Sequence, residues 1–218
     1  MNNSFENSEK EMKIRGLISD LVKEIDEIES VNEKIDTLNY VRQMLSEVSP
    51  LKNHPVDCVI WEKTENVECN DYNPNAVAPP ELKLLTRSII EDGFTMPIYT
   101  NPENSHKTVI DGFHRRKCER ANKIISESTF GRLPITIARE SKRDISNRMA
   151  STIRHNRARG SHDIDLMTNI VSELTKAGMG DAWIMKHIGM DADEILRLKQ
   201  LSGLAELFKD KDFSNSKL

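Results

Sequence analysis

A chain of 218 residues is long enough for one good core and more comfortably for two small ones. It is 30% charged and 37% hydrophobic with a net charge of −4, a balance that argues against a generic nucleic-acid coat. No apolar run approaches the ~20 residues that span a bilayer; the first residues lack the basic-then-apolar layout of a secretory signal; and three cysteines without a CxxC pair argue against a disulfide framework or zinc knuckle, so a cytoplasmic protein with no membrane partner is expected.

Residues 8–48 read as helix. Ile14, Ile18, Leu21, Ile25 and Ile28 alternate steps of four and three, a heptad seam. Ile35, Leu38, Val41 and Leu45 continue the stripe in a shifted phase, and Ser30 with Glu33 forms a capping box for a second helix. This predicts a bent long helix or a helical hairpin, serving either homodimerisation or packing on its own domain. Ser49-Pro50 ends it.

From Val56 the pattern turns strand-like around Cys58, Ile60 and Val67. Asn73-Pro74-Asn75 and Pro79-Pro80 mark turns. Glu81 to Glu91 predicts a helix with Leu82, Leu85, Ile89 and Ile90 inward, closed by Asp92-Gly93. Pro97–Thr100, Thr108–Asp111 and Leu133–Ala138 are strand candidates, and a helix follows from about Phe113 to Asn122. Beyond Arg139 the chain reads as helical throughout. One helix starts at Asp144 and ends at Gly160. The next, Ser161 to Ala177, carries Ile164, Met167, Ile170, Val171 and Leu174 on one face. Asp181–Ile188 and Asp191–Leu201 are two short helices, with Gly203 expected to interrupt before a final turn.

The stretch from Thr108 to Ala121, TVIDGFHRRKCERA, is the best candidate for chemistry. A strand turns through glycine into a basic helix start. Glycine lets backbone approach a ligand closely. The helix start offers unpaired N–H groups and the positive end of its dipole. Arginine adds a forked grip on phosphate or carboxylate. Charge is also unevenly spread. Residues 1–50 hold eleven acidic and six basic side chains, whereas 139–160 holds seven Lys/Arg against Glu140 and Asp144. His114, Arg115, Arg154, Arg157 and Arg159 can converge if the two basic stretches face each other, and would then need an anion or an acidic partner between them. A structural ion pair from Arg115 or Arg116 to Asp111 or Glu119 is the alternative.

Three blocks in order give the chain from roughly Tyr72 to Leu207 a family resemblance. They are NPN with SIIEDGFTMPIYT, then DGFHRRKCERA, then STIRHNRARGSHDID. Together they resemble the ParB/sulfiredoxin-like superfamily, of the ParB N-terminal type, and look closest to the prophage-associated IbrB-like regulators. The resemblance implies an α+β fold: a small mixed-sheet core at 51–141, N-terminal helices at 1–50, and a C-terminal all-helical, helix-turn-helix-like domain at 142–218. It implies a nucleoside triphosphate, CTP or ATP, with Mg²⁺. By the same resemblance Gly112, His114 and Arg115 contact phosphate; Arg154, Arg157 and Arg159 of the third block are added to the expected phosphate site by the convergence of basic groups alone. Asn156 matches an asparagine that can serve the metal. His155 stands where the family has glutamate and Phe113 where the glycine box has glutamate, which bears on Mg²⁺ binding and hydrolysis. The catalytic cysteine of sulfiredoxins is missing at the matching position, so that activity is not expected, and Cys118 reads as a small core residue.

Trp183 to Leu198 fits a helix-turn-helix frame with Gly189 at the turn and Ile188 and Ile195 inside. Lys186, His187, Arg197 and Lys199 are its cations for double-stranded DNA, although Asp191-Ala192-Asp193-Glu194 would face phosphate. Nucleotide-responsive regulation involving DNA is therefore the expected function. A ParB-fold enzyme (NTPase, kinase or nuclease) is a second reading, with Asp111 as the candidate catalytic carboxylate ahead of Glu119 and Glu81, and helix capping as its competing role. A third reading, implied by the IbrB resemblance, is an adaptor for a phosphosulfate-reductase-like protein.

Overall fold

The computed structural model describes residues 2–69, 79–157 and 164–208. Asn73–Asn75, Arg159, Gly160 and Ser161 lie outside these residues. Two helices open the chain, α1 (Asn2–Asp26) and α2 (Val31–Glu47). The Ser30 hydroxyl accepts from Glu33 N at 3.4 Å, so the cap read from the sequence is formed and the segment is two helices.

The core sheet contains β1 (Ile60–Lys63), β2 (Val67–Glu68), β3 (Ile98–Pro102), β4 (Lys107–Asp111) and β5 (Arg132–Ile137). Their order is β1-β5-β3-β4-β2. β1 runs antiparallel to β5, β5 parallel to β3, β3 antiparallel to β4, and β4 parallel to β2. The two edge strands are consecutive in sequence, joined only through Thr64–Asn66. That link reaches about 14 Å at most, whereas four flat strand spacings need about 19 Å. The sheet must therefore curl. Across the gap, Lys107 Nζ meets Glu62 Oε2 at 2.6 Å, and Asn66 Nδ2 donates to Glu62 at 2.7 Å. These bonds outweigh burial and hold the Glu62 carboxyl below the usual carboxylate range.

Ile60, Val67, Ile98, Val109, Leu133 and Ile135 fill the inside of the curl. Outside it lie α3 (Pro79–Asp92), α4 (Phe113–Ala121) and α5 (Lys123–Ser128), which bury Ile89, Cys118 and Ile125. Phe94 packs against both clusters and meets Trp61 edge-on at 6.4 Å. Helix α5 has no counterpart in the sequence pattern. It exists because Asn122 ends α4 and caps its successor, its Oδ1 accepting from Ile124 N and Ile125 N at 3.0 and 3.3 Å. Ile90, expected inward on α3, is 39% exposed; Ile89 takes the core position instead.

The C-terminal half holds α6 (Ile145–Arg157), α7 (Ile164–Lys176), α8 (Asp181–Ile188) and α9 (Ala192–Phe208). Ala150, Met167, Ile170, Val171, Leu174, Ile184, Ile188, Met190, Ile195 and Leu198 make one core. Gly178 and Gly189 take positive φ at the ends of α7 and α8. Gly203 does not interrupt α9, contrary to the sequence expectation. A single glycine costs a helix only about 1 kcal/mol, less than the rest of the helix supplies.

α6 belongs to both halves. Thr152 Oγ1 donates to the Ile110 carbonyl at 3.0 Å, and Arg148 Nη1 meets Glu103 Oε1 at 2.6 Å, which fastens the helix to β4 and the β3–β4 turn. On its other side Arg154 Nη1 donates to the His187 carbonyl at 2.6 Å.

Candidate functional site

β4 delivers Asp111, and Gly112 turns the chain into α4 at φ +105°, a left-handed conformation that side chains rarely adopt. A Cβ here would also lie 2.9 Å from Arg115 Nη2 and 3.1 Å from Ile98 Cγ1. Glycine is required twice, for the backbone and for the space. Arg115 folds back over that space. Its Nη2 donates to the Pro97 carbonyl at 3.3 Å and meets Asp111 Oδ2 at 3.4 Å. Both side chains are almost buried, at 14% and 10% exposure. The ion pair that the sequence offered as an alternative for Arg115 is thus present.

His114 is half-buried with its ring edge-on to Phe113, centroids 5.3 Å apart. Arg116 takes a structural role of a different kind from the expected acidic pairing. Its Nε donates to the Val67 carbonyl at 2.5 Å and its Nη1 to Cys69 Sγ at 3.2 Å, tying β2 to α4. Burial pushes the Cys69 thiol up, so it sits there as a neutral acceptor. Cys118 is 2% exposed and accepts from Thr86 Oγ1 at 3.3 Å, the core role read from the sequence.

Tyr99 stands opposite Asp111 in the β3–β4 register. Burial raises its hydroxyl pKa, while the guanidiniums of Arg139 and Arg154 act on it in the other direction. The structure thereby brings Arg154 into the field of the strand pair that carries Asp111 and Gly112. Sequence reasoning missed Tyr99 and counted Arg139 only as one of the basic cluster at 139–160. The signal was the hairpin itself, which sets Tyr99 across from the acid. The side chains of Asn156 and Arg157, like Arg159 entirely, lie outside the described residues, so of the five basic groups expected to converge only His114, Arg115 and Arg154 are described. Among the described residues no three His, Cys, Asp or Glu side chains are grouped to hold a metal. Mg²⁺ takes oxygen ligands, and Asp111 is the carboxylate this site offers.

The C-terminal cations are variously engaged. Lys199 forms an ion pair with Asp181. The His187 ring lies on Trp183 at 4.5 Å and 31°. Arg197 lines a cleft of about 500 Å³ with Asp191, Asp193 and Glu194. Lys186 is exposed. Asp191 caps α9, its Oδ1 accepting from Glu194 N at 2.7 Å, which explains an acid at that helix start.

Residues 162–210, which contain α7, α8 and α9, match the family described as the IbrB-like C-terminal HTH domain. Over 186 residues the chain is 45% identical to the uncharacterized protein YbdM of Escherichia coli strain K12, covering 85% of this chain and 88% of YbdM. The chain belongs to the IbrB-like family. Its helix-turn-helix consists of α8, the Gly189 turn and α9. Among solved structures, this IbrB-like chain is similar to ParB of Caulobacter crescentus complexed with CTP-γ-S, at 16% identity and a TM-score of 0.39, covering 69% of this chain and 83% of that one. It is also similar to the same protein complexed to the centromeric parS site, at 16% identity and TM-score 0.44, covering 65% and 70%. A third likeness is to a Pnob8-like ParB-N domain, at 17% identity and TM-score 0.43, covering 70% and 62%. No residue's role is transferred from these likenesses.

Proposed function

We propose that this IbrB-like chain is a nucleotide-responsive DNA-binding regulator that works as a homodimer. The helix-turn-helix takes double-stranded DNA, with Lys186 and Arg197 reaching the backbone phosphates. A nucleoside triphosphate, CTP or ATP, places its phosphates at Gly112, His114 and Arg115. The observation that carries this reading is the place of Arg154 on α6. Its Nη1 holds the His187 carbonyl in the last turn of α8 and its charge acts on Tyr99, which stands opposite Asp111, while Thr152 bonds the same helix to β4, so one helix links the strand that carries the glycine turn to the DNA-reading element.

The gating step is an exchange of partners. Phosphate competes with Asp111 and the Pro97 carbonyl for Arg115, and draws Arg154 away from His187. Loss of the second bond removes the polar tie between α6 and α8 and loosens their packing. Nucleotide then shifts the DNA-bound population only by its differential affinity for the two arrangements. Asp111 acts as the resting counter-ion of Arg115, which favours binding over catalysis for this carboxylate. If Mg²⁺ accompanies the nucleotide, it would neutralise phosphate charge, with Asp111 and Asn156 as its oxygen donors. The exposed apolar row of α1, Ile14, Ile18 and Leu21, is the dimer contact.

Calorimetry with all four nucleoside triphosphates, with and without Mg²⁺, tests the first half. One nucleotide is expected to bind, and Arg115→Ala to weaken it at least tenfold, as about 1.5–3 kcal/mol per charged hydrogen bond requires. Wild-type protein that binds none of the four overturns the reading. Arg154→Ala is expected to leave DNA affinity insensitive to that nucleotide.

A further inference from the structure

Helix α4 carries a second charged side chain that the anion site does not use. Glu119 is 1% exposed. Its Oε2 is fully buried and accepts no hydrogen bond, and no cation forms an ion pair with it among the described residues. A carboxylate in that position costs several kcal/mol unless something donates to it. Thr64 Oγ1, on the β1–β2 link, is likewise buried without a partner. Both residues line one cavity of about 400 Å³, together with Lys63, Arg120, Ser126 and Phe130.

The cavity's walls come from four separate places in the chain: the β1–β2 link, the end of α4, α5 with the turn after it, and the start of α2 through Asn32. Its mouth carries an unusual residue. Phe130 has φ +54° and is 60% exposed. A bulky side chain in the left-handed region is strained. Glu119 therefore lies buried beside open space, with cations at Lys63 and Arg120 and an aromatic face at Phe130.

We propose that this cavity binds a small basic amino acid. Its cationic side chain pairs with Glu119, Thr64 accepts a further N–H, and its carboxylate reaches Lys63 and Arg120. A guanidinium suits a carboxylate in two parallel hydrogen bonds, and a cation passing Phe130 gains from the ring face. The cationic rim selects an ampholyte over a bare amine. The site is separate from the Gly112 turn and does not depend on the nucleotide reading.

The probes are the proteinogenic L-amino acids and agmatine, which keeps the guanidinium and lacks the carboxylate, each tested on the full chain by thermal shift and calorimetry. At least one of L-arginine, L-lysine and L-ornithine (added to the panel) is expected to bind and raise Tm. Agmatine is expected to bind at least tenfold more weakly than L-arginine. Glu119→Gln keeps the shape of the side chain, and is expected to reduce amino-acid affinity at least tenfold. Lys63→Ala, at an exposed rim position that does not threaten folding, is expected to narrow the difference between L-arginine and agmatine, with Arg120 keeping the remainder. No binding by any basic amino acid means that the cavity holds solvent only and ends the proposal. Binding that persists unchanged in both variants ends it equally, because the ligand then sits elsewhere.

Discussion

The two N-terminal helices are built from similar sequence, polar with an apolar row at helical spacing, and yet α2 lies on the core while most of α1 stands away from it. What holds α2 is polar. The Asn39 side-chain amide donates to the Trp61 carbonyl at 2.8 Å and accepts from Trp61 N at 2.9 Å. One side chain thus satisfies both outward backbone groups at the edge of β1, the place where another strand would otherwise add. Arg132 of β5, with a side chain 2% exposed, reaches Asp36 Oδ1 at 2.5 Å, Asn32 Oδ1 at 3.1 Å and the Trp61 carbonyl at 3.2 Å. The guanidinium holds the Asp36 carboxyl below the usual carboxylate range. Among the described residues α1 has no such anchor on the sheet, and Lys34 of α2 holds only its end, at the Asp26 carbonyl 2.9 Å away. Ile25 and Ile28, at its end, are half-buried, but Ile14, Ile18 and Leu21 are 55%, 54% and 41% exposed. An isolated helix gains little in water, so the comparison teaches that docking was decided by a few directional bonds and that an apolar row alone did not secure it.

The strongest way to break the contrast is Arg132→Ala. It is expected to cost about 3 kcal/mol, because carbonyls around a buried guanidinium lose their donor and a void remains. Little of this comes from Asp36, which is 60% exposed and screened. Chemical denaturation measures it, and an unchanged midpoint would show that α2 is held by other means. Asn39→Ala is expected to cost about half as much by the same assay.

A pair of glycine substitutions sharpens the distinction between local and tertiary demands. Gly112→Ala must accept positive φ and a clash with Arg115, and is expected to destabilise by about 1–2 kcal/mol while displacing the guanidinium. Gly203→Ala meets nothing within 4 Å inside a helix and is expected to stabilise by up to about 1 kcal/mol. Thermal melts of the two variants should move in opposite directions.

Acid provides a milder probe of a second polar anchor. Hydrogen bonds from Thr108 and Arg148 hold the Glu103 carboxyl below its usual range. A depressed folded-state pKa gives stability that is present above the unfolded value and lost as pH falls through the folded one. The stability profile is therefore expected to drop below the ordinary carboxylate range, and Glu103→Gln to flatten that part of the drop. Profiles that superimpose would remove Glu103 as a cause.

The smallest stability change is expected in α1 itself. Ile18→Lys with Leu21→Lys should leave the melting of the body within about 0.5 kcal/mol, as for exposed sites generally. If α1 joins two copies, the same double substitution halves the mass seen by light scattering. A wild-type monomer would remove the dimer.

Local patterns carried much of the architecture. Ser30 and Glu33 stated the break between α1 and α2, Gly178 and Gly189 the ends of α7 and α8, and Ile188 and Ile195 the inside of the helix-turn-helix, because caps and periodicity act within a few residues. The Asp-Gly turn was legible for the same reason. The fate of its cations was not. That Arg115 rests on Asp111 and the Pro97 carbonyl, that Arg116 serves β2, and that Arg154 holds α8 depends on residues up to 49 positions away.

The sequence by itself determined where most of the helices and strands begin, which faces are apolar, and that a basic turn follows β4, since each rests on short-range backbone preference and side-chain period. Only the tertiary structure decided that the sheet curls, that Asn39 closes its edge, and that Glu119 is buried beside a cavity with its Oε2 unbonded among the described residues. Those outcomes depend on which distant groups meet once water is excluded, and hydrogen bonds and charges acquire their worth only there.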